Sequence, residues 1–278
     1  MKRFLKITRL VIILGWRIIA AYFGWVIRYS NHPEKYPLQL RYRKVHELLD
    51  AVGRAMRIDW RLYNAERLLN RQKGTLLVAN HLSVCDIVAL LYLCEEPISF
   101  VSKVEVRKMP FVGRCVRILD GVFLDRDDPR QAIKAFRTVE KRMAEEGLSY
   151  VIFAEGTRAK GEKEGAVLPF HPGSFKIAYR AKAPILLYAE SGTQRILGKG
   201  NDRRHLVQMS FLPPMPYDEY KDLQTVDLAP IAHERVESEF DRLLLEDAEY
   251  YKAGMQKQRI NDPGKEAHIL RKAADEAR

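Results

Sequence analysis

Leu77-Val78-Ala79-Asn80-His81-Leu82-Ser83-Val84-Cys85-Asp86-Ile87-Val88 is the stretch from which the architecture can be read. The run from Thr75 to Ala79 has the length and apolar character of a short buried strand. It stops at Asn80-His81, and apolar residues at helical spacing (Ile87, Leu90, Leu91, Cys94) begin a few positions later. Strand, polar corner and helix form the unit of open α/β sheets, which bind ligands beyond the carboxyl ends of their strands. His81 therefore falls where a ligand would lie, with Asp86 five residues on, in the first turn of the next helix. An imidazole exchanges protons near neutral pH, and a carboxylate on its far nitrogen fixes the tautomer and stabilises the imidazolium. The same residues admit a local reading, in which Ser83-Val84-Cys85-Asp86 is a capping box with Ser83 at the N-cap and Asp86 at N3. Ser83 and Cys85, between the pair, are further candidates as nucleophiles, although a cap suits Ser83 better and Cys85 falls inside the helix.

Outward from this stretch the hydrophobic period keeps switching. Ile58, Trp60 and Leu62 alternate with Asp59 and Arg61, which predicts a first strand. Further strands are expected at 75–79, 98–102, 121–124, 149–153, 184–189 and 205–211, and helices at 83–95, 104–118, 129–146, 173–181 and 228–254. The alternation predicts an α/β fold with a mixed, mainly parallel sheet flanked by helices.

The N-terminal quarter is different. Leu10 to Ile27 is almost wholly apolar and about the length of a membrane span, with Arg17 near its centre. Trp16, Tyr22 and Trp25 are aromatics of the kind found at membrane interfaces. Pro33 and Pro37 break this segment, and Val45, Leu48, Leu49, Val52 and Met56 then recur as one face of an amphipathic helix. Residues 1–56 thus read as a two-helix membrane-binding motif. Basic residues flank the first helix on both sides, so a helix lying in the interface is preferred over a single N-terminal span.

Charge supports that reading. The net charge is +11, and residues 1–75 hold 16 Lys and Arg against 5 Asp and Glu, so the whole excess lies beside the most apolar segment. The pairing suits an anionic membrane surface. Nucleic-acid binding is disfavoured, because the aromatics that would stack on bases sit in an apolar helix. Cys85, Cys94 and Cys115 have neither metal-like nor framework spacing and are read as reduced core residues of a cytosolic-facing protein.

Two other predicted strands end in polar clusters. Gly121-Val122-Phe123-Leu124-Asp125-Arg126 ends in an arginine just before a helix that opens near Pro129. Val151-Ile152-Phe153-Ala154-Glu155-Gly156-Thr157-Arg158 ends in a carboxylate, a glycine and a second arginine. Guanidinium is a planar fork of donors suited to phosphate, and a glycine lets backbone amides approach a ligand. Lys103, after Ser102, adds a third cation. Each piece has a structural alternative: Asp127 or Asp128 as a helix cap before Pro129, Glu155 and Arg158 as a surface ion pair. If the strands are neighbours, a His–Asp pair faces two arginines across one cleft. Such a cleft suits deprotonation of a hydroxyl on a small phosphorylated molecule.

Taken in order, these clusters resemble the motifs of the glycerophospholipid acyltransferases, the family that includes 1-acylglycerol-3-phosphate acyltransferases. Asn80-His81…Asp86 is similar to its first motif, Phe123-Leu124-Asp125-Arg126 to the second and Phe153-Ala154-Glu155-Gly156-Thr157-Arg158 to the third. Ala154 and Ala159 stand where the third motif commonly has Pro and Ser, and Ala183-Pro184-Ile185-Leu186-Leu187-Tyr188 lacks the second proline of the fourth. The resemblance implies His81 as general base, Asp86 as its partner, and Lys103, Arg126, Glu155, Gly156, Thr157 and Arg158 as substrate-binding residues. It also implies transfer of an acyl group from acyl-CoA or acyl-carrier protein to a lysophospholipid acceptor; such base-assisted transfer needs no metal or other cofactor, and the charge and helix pattern of residues 1–56 place it at the cytoplasmic face of the cell membrane. Glycerol 3-phosphate or another lysophospholipid is the alternative acceptor, and an idle membrane scaffold the alternative to an enzyme. The chain then divides into a membrane-associated hairpin (1–56), an acyltransferase domain (57–220) and a C-terminal helical region (221–278).

Overall fold

The computed structural model describes residues 15–56, 58–159, 165–196 and 204–257. Its strands are β1 (Ile58–Tyr63), β2 (Leu76–Ala79), β3 (Ile98–Lys103), β4 (Val122–Leu124), β5 (Ser149–Phe153), β6 (Ile185–Ser191) and β7 (His205–Phe211). They form a seven-stranded sheet in the order β1-β7-β6-β2-β5-β3-β4. Every neighbouring pair is parallel except β6 with β7. The strands β6, β2, β5, β3 and β4 consequently all finish at one edge of the sheet. Each strand lies within two residues of where the periodicity predicts it.

Among the described residues the longer helices are α1 (15–31), α2 (Leu38–Met56), α3 (Cys85–Leu93), α4 (Val112–Ile118), α5 (Pro129–Glu146), α6 (Lys176–Ala181) and α7 (Thr225–Lys252). They cover both faces of the sheet. Leu77, Ala79, Val151, Leu186 and Tyr188 point toward α1 to α4, while Leu76, Val78, Ile152, Leu187 and Ala189 point toward α5 to α7. The near-continuous apolar runs of the central strands follow from this double coverage, since a strand buried on both faces has no polar side.

Capping chemistry fixes α5 behind the second arginine motif. The Asp128 carboxylate accepts the N–H groups of Arg130 and Gln131 at 3.0 and 3.1 Å, Pro129 fills N1, and Gly147 closes the helix at φ +68°. Gln131 reaches back, accepting the Asp125 N–H at 2.7 Å and donating to the Phe123 carbonyl at 2.6 Å. The helix expected over 104–118 is instead a 3₁₀ turn, Val104–Lys108, followed by α4. Pro110 accounts for the break, because the residue before a proline is driven out of the helical region and Met109 has ψ 118°.

The N-terminal helices pack on the sandwich through specific contacts. Arg41, only 5% exposed, grips both carboxylate oxygens of Asp120 at 3.0 and 2.8 Å and also donates to the Ile118 carbonyl. Arg114 of α4 donates to Ser30 and Asn31 of α1 at 2.8 Å each. Ala21, Val26, Tyr29, Tyr42, Val45 and Leu49 join the core beneath α3. The outer side of α1 keeps Trp16, Ile19 and Phe23 exposed at 65%, 60% and 73%. A π-helical turn, Tyr22–Val26, interrupts α1. Among the described residues no helix is long and apolar enough to cross a membrane. The expected start of the first helix at Leu10 and the tail beyond Lys257 lie outside the described residues.

Candidate active site

Because β2 ends at Ala79 on the edge where five strands finish, the corner Asn80-His81 is placed there by topology alone. Asn80 is fully buried and locks the corner to β6, donating to the Glu190 carbonyl and accepting the Glu190 N–H at 2.9 Å each. The polypeptide then turns so that Asp86, in the first turn of α3, faces back toward His81. Asp86 Oδ2 lies 2.7 Å from His81 Nδ1 and accepts the N–H groups of Leu82 and Ser83 at 2.8 Å each. Its other oxygen accepts the hydroxyl of Thr193, just past the end of β6. The helix opens one residue later than the capping-box reading placed it, with Val84 at the N-cap and no side-chain cap there, but the Asp86 carboxylate, 0% exposed, holds both the Ser83 N–H and His81.

An ionised carboxylate only accepts, so the proton on His81 Nδ1 belongs in this bond and Nε2 is left with a free lone pair. The ring stacks on Phe153 with centroids 4.1 Å apart and planes at 19°, which fixes its orientation. Its side chain keeps 18% exposure, enough to meet a substrate. The residues between the pair are not arranged as nucleophiles. Ser83 Oγ accepts the Cys85 N–H at 3.1 Å, and burial pushes the buried Cys85 thiol up to about 11, with the Asp86 charge adding to it.

Glu155 follows β5, the neighbour of β2. Its Oε1 accepts the His81 N–H at 2.7 Å, and the residue is 2% exposed. Burial pushes its carboxyl up to about 7; the backbone N–H groups of His81 and Leu168 pull the other way, and the charge of Asp86 pushes further up. Gly156 adopts φ +68°, and an added Cβ there would lie 2.0 Å from Nη1 of Arg126. Arg126 starts beyond β4, two strands away from β5, and its guanidinium nonetheless lies against Gly156 of the third motif. Thr157 and Arg158 follow as exposed residues, and Lys103 is the exposed last residue of β3.

All eight predicted site residues thus lie at the same sheet edge. His81, Asp86 and Glu155 are joined by hydrogen bonds, Arg126 and Gly156 by close packing, and Lys103, Thr157 and Arg158 share the rim. Thr193, Glu190 and Phe153 complete the surroundings of His81 and were not singled out from the sequence. The first two sit at the end of β6, where the rule that ligands lie beyond strand ends would have found them.

Comparison with known proteins shows similarity in sequence and in fold. Residues 60–187 match the family model described as Acyltransferase. A Mycoplasma genitalium protein named "Probable 1-acyl-sn-glycerol-3-phosphate acyltransferase" is 28% identical over 244 residues, covering 85% of this chain and 87% of the relative. The 1-acyl-sn-glycerol-3-phosphate acyltransferase of Haemophilus influenzae is 24% identical over 239 residues, covering 86% and 96%. The crystal structure of the 1-acyl-sn-glycerophosphate (LPA) acyltransferase PlsC from Thermotoga maritima superimposes with a TM-score of 0.65 at 25% identity, over 87% of this chain and 98% of that one. Residues 60–187 of this chain are thus similar to the acyltransferase family.

Proposed function

We propose that the protein transfers a fatty acyl group from an acyl thioester to the 2-hydroxyl of 1-acylglycerol 3-phosphate, giving phosphatidic acid for phospholipid synthesis. The observation that carries this reading is the coexistence, at one sheet edge, of the 2.7 Å His81–Asp86 pair and the Arg126 guanidinium seated over Gly156. Adjacent strands are about 4.8 Å apart, and β2 and β5 are adjacent. His81 follows β2, and Gly156, against which the Arg126 guanidinium lies, follows β5, so the base and the phosphate-binding cation stand at neighbouring strand ends, which suits an acceptor that carries both a hydroxyl and a phosphate.

In the proposed reaction His81 Nε2 takes the proton from the 2-hydroxyl as its oxygen bonds to the thioester carbonyl carbon. Asp86 holds the imidazolium so formed. When the tetrahedral intermediate collapses, the carbon–sulfur bond breaks and the proton passes from Nε2 to the departing thiolate. Positioned base catalysis of this kind contributes roughly 10²–10⁴ in rate, and holding both substrates in place adds more. Arg126 and Arg158, with Lys103 and the Thr157 hydroxyl, bind the acceptor phosphate in ground and transition states alike. Glu155 and Gly156 shape this subsite, the first by fixing the His81 main chain and the second by making room for Arg126.

The thioester carrier is coenzyme A or an acyl-carrier protein. Docking on the cytoplasmic face of an anionic membrane is assigned to α1, whose exposed Trp16, Ile19 and Phe23 recur at i, i+3 and i+7 beside Arg17. The test is an acceptor panel with labelled acyl-CoA and acyl-carrier protein on purified protein beside His81→Ala. Transfer to 1-acylglycerol 3-phosphate that is lost in the variant supports the reading. Undiminished transfer in the variant, or none to that acceptor in the native protein, overturns it.

A further inference from the structure

Behind the His81–Asp86 pair the structure contains a carboxyl group for which the reaction described above has no use. Glu190, on β6, is 0% exposed, and no donor reaches either of its carboxyl oxygens. Its main chain is pinned by the two Asn80 bonds, so the side chain has a fixed origin. Along β6 it follows Leu186 and Tyr188 on the face that meets α3, and it comes within hydrogen-bonding contact of the Asp86 carboxylate. The other ionisable groups that face it are Glu155 beyond β5, Cys85 on α3 and Tyr188 on its own strand, all acids. The Tyr188 hydroxyl is itself buried without a partner.

Two carboxyl groups in contact, with no donor between them, must share a proton. Asp86 already accepts from His81, Leu82, Ser83 and Thr193, all of which stabilise its ionised form. Glu190 accepts nothing, so the proton resides there. We propose that Glu190 is a positioning residue for the acyl-transfer reaction: a carboxylic acid kept neutral by its surroundings, which donates its O–H to Asp86 and thereby sets how strongly Asp86 holds a proton on His81. Burial, with the charge of Asp86 behind it, pushes the Glu190 carboxyl well above the usual carboxylate range, in agreement with this assignment. The donated bond draws charge from Asp86. Without it more of that charge acts on the imidazolium, and the base becomes free only at higher pH.

The inference rests on the acyl-transfer reading, but its first test needs no activity. Infrared spectra of the native protein at pH 9 and of Glu190→Gln should differ by the C=O stretch of a protonated carboxylic acid. Glu155 is ionised at that pH and does not contribute. Absence of the band, or its persistence in the variant, overturns the proposal, whatever the enzyme acts on. The second test is the kcat/KM–pH profile. Glu190→Gln retains an N–H donor toward Asp86 and should leave the acid limb in place. Glu190→Val, close in volume, should move it to higher pH by about half a unit or more. A loss of packing alone would lower Tm without moving the limb, and an unmoved limb in a folded Val variant overturns the proposal. An acid limb moved to lower pH by Gln would mean that a charge had been removed, and would overturn it equally.

Discussion

The guanidinium of Arg126 occupies the space where a side chain at Gly156 would begin: a Cβ on Gly156 would lie 2.0, 2.2 and 2.4 Å from Nη1, Nη2 and Cζ. Two motifs 30 residues apart are one object in the fold. Gly156→Ala must displace the far end of a flexible side chain, which the fold tolerates, and must hold alanine at φ +68°, which costs about 1–2 kcal/mol. The displaced guanidinium is the larger functional loss. The acceptor KM should rise about 10- to 100-fold, the worth of a charge-assisted hydrogen bond, with kcat little changed. Arg126→Ala should give a similar KM, and the double variant should be no worse than either single one.

Asp86 is held by four donors, and the most distant in sequence is the Thr193 hydroxyl, 107 residues away. Thr193→Val removes one of them without changing the side-chain shape. The expected result is a fall in kcat of about tenfold at unchanged acceptor KM, from a bond to a charged group worth roughly 1.5–3 kcal/mol. Asp86→Asn should be more severe, about 10²–10⁴ in kcat. Steady-state kinetics on the two variants check both values.

Glu155 gives stability a pH dependence of known sign. Its carboxyl ionises near its ordinary value when unfolded and at about 7 when folded. Between those values the folded state binds the extra proton, so stability falls as pH rises through that window and levels off above it. The full effect is of order 3 kcal/mol. Urea denaturation at pH 5, 6, 7 and 8 should show a decline in the native protein that is reduced in Glu155→Gln.

Arg41 fastens α2 to Asp120, which follows α4, in a pair with side-chain exposures of 5% and 15%. Removing one member of a buried pair leaves the other uncompensated, which typically costs 3–5 kcal/mol. The nearest remaining cation is Arg142, at 3.9 Å. Arg41→Ala should lose about 3 kcal/mol in denaturant titration, and Asp120→Ala combined with it should lose little more.

The exposed face of α1 makes a prediction about membranes. Burying an aromatic side chain contributes roughly 1.5–3 kcal/mol. Trp16→Ser together with Phe23→Ser should weaken binding to phosphatidylglycerol-containing vesicles by at least about tenfold, while Tm stays within a few degrees. Vesicle sedimentation and calorimetry measure the two quantities.

The strands were legible because each carries its own apolar run or alternation, and the parallel arrangement followed from the helices between them. His81 and Asp86 were legible because they lie five residues apart at a strand–helix corner. Arg126 and Gly156 could be named but not joined, since their contact depends on β3 lying between β4 and β5. Thr193 and Glu190 stayed hidden for the same reason on the other side of β2: nothing local in Glu190-Ser191-Gly192-Thr193 marks its proximity to Asp86. The break before α4 is written in Pro110, which overrides the helical spacing on either side of it.

The position of β6 has one more consequence. A chain ending at residue 182 would contain His81, Asp86, Arg126, Glu155 and Arg158, all from the first three motifs, and yet Asp86 would lack Thr193 and would face solvent where Glu190 now sits. The nascent polypeptide therefore carries its reactive groups long before it can use them. On the proposed reading acyl transfer waits for the strand that slots beside β2, while the membrane-facing helix is already made.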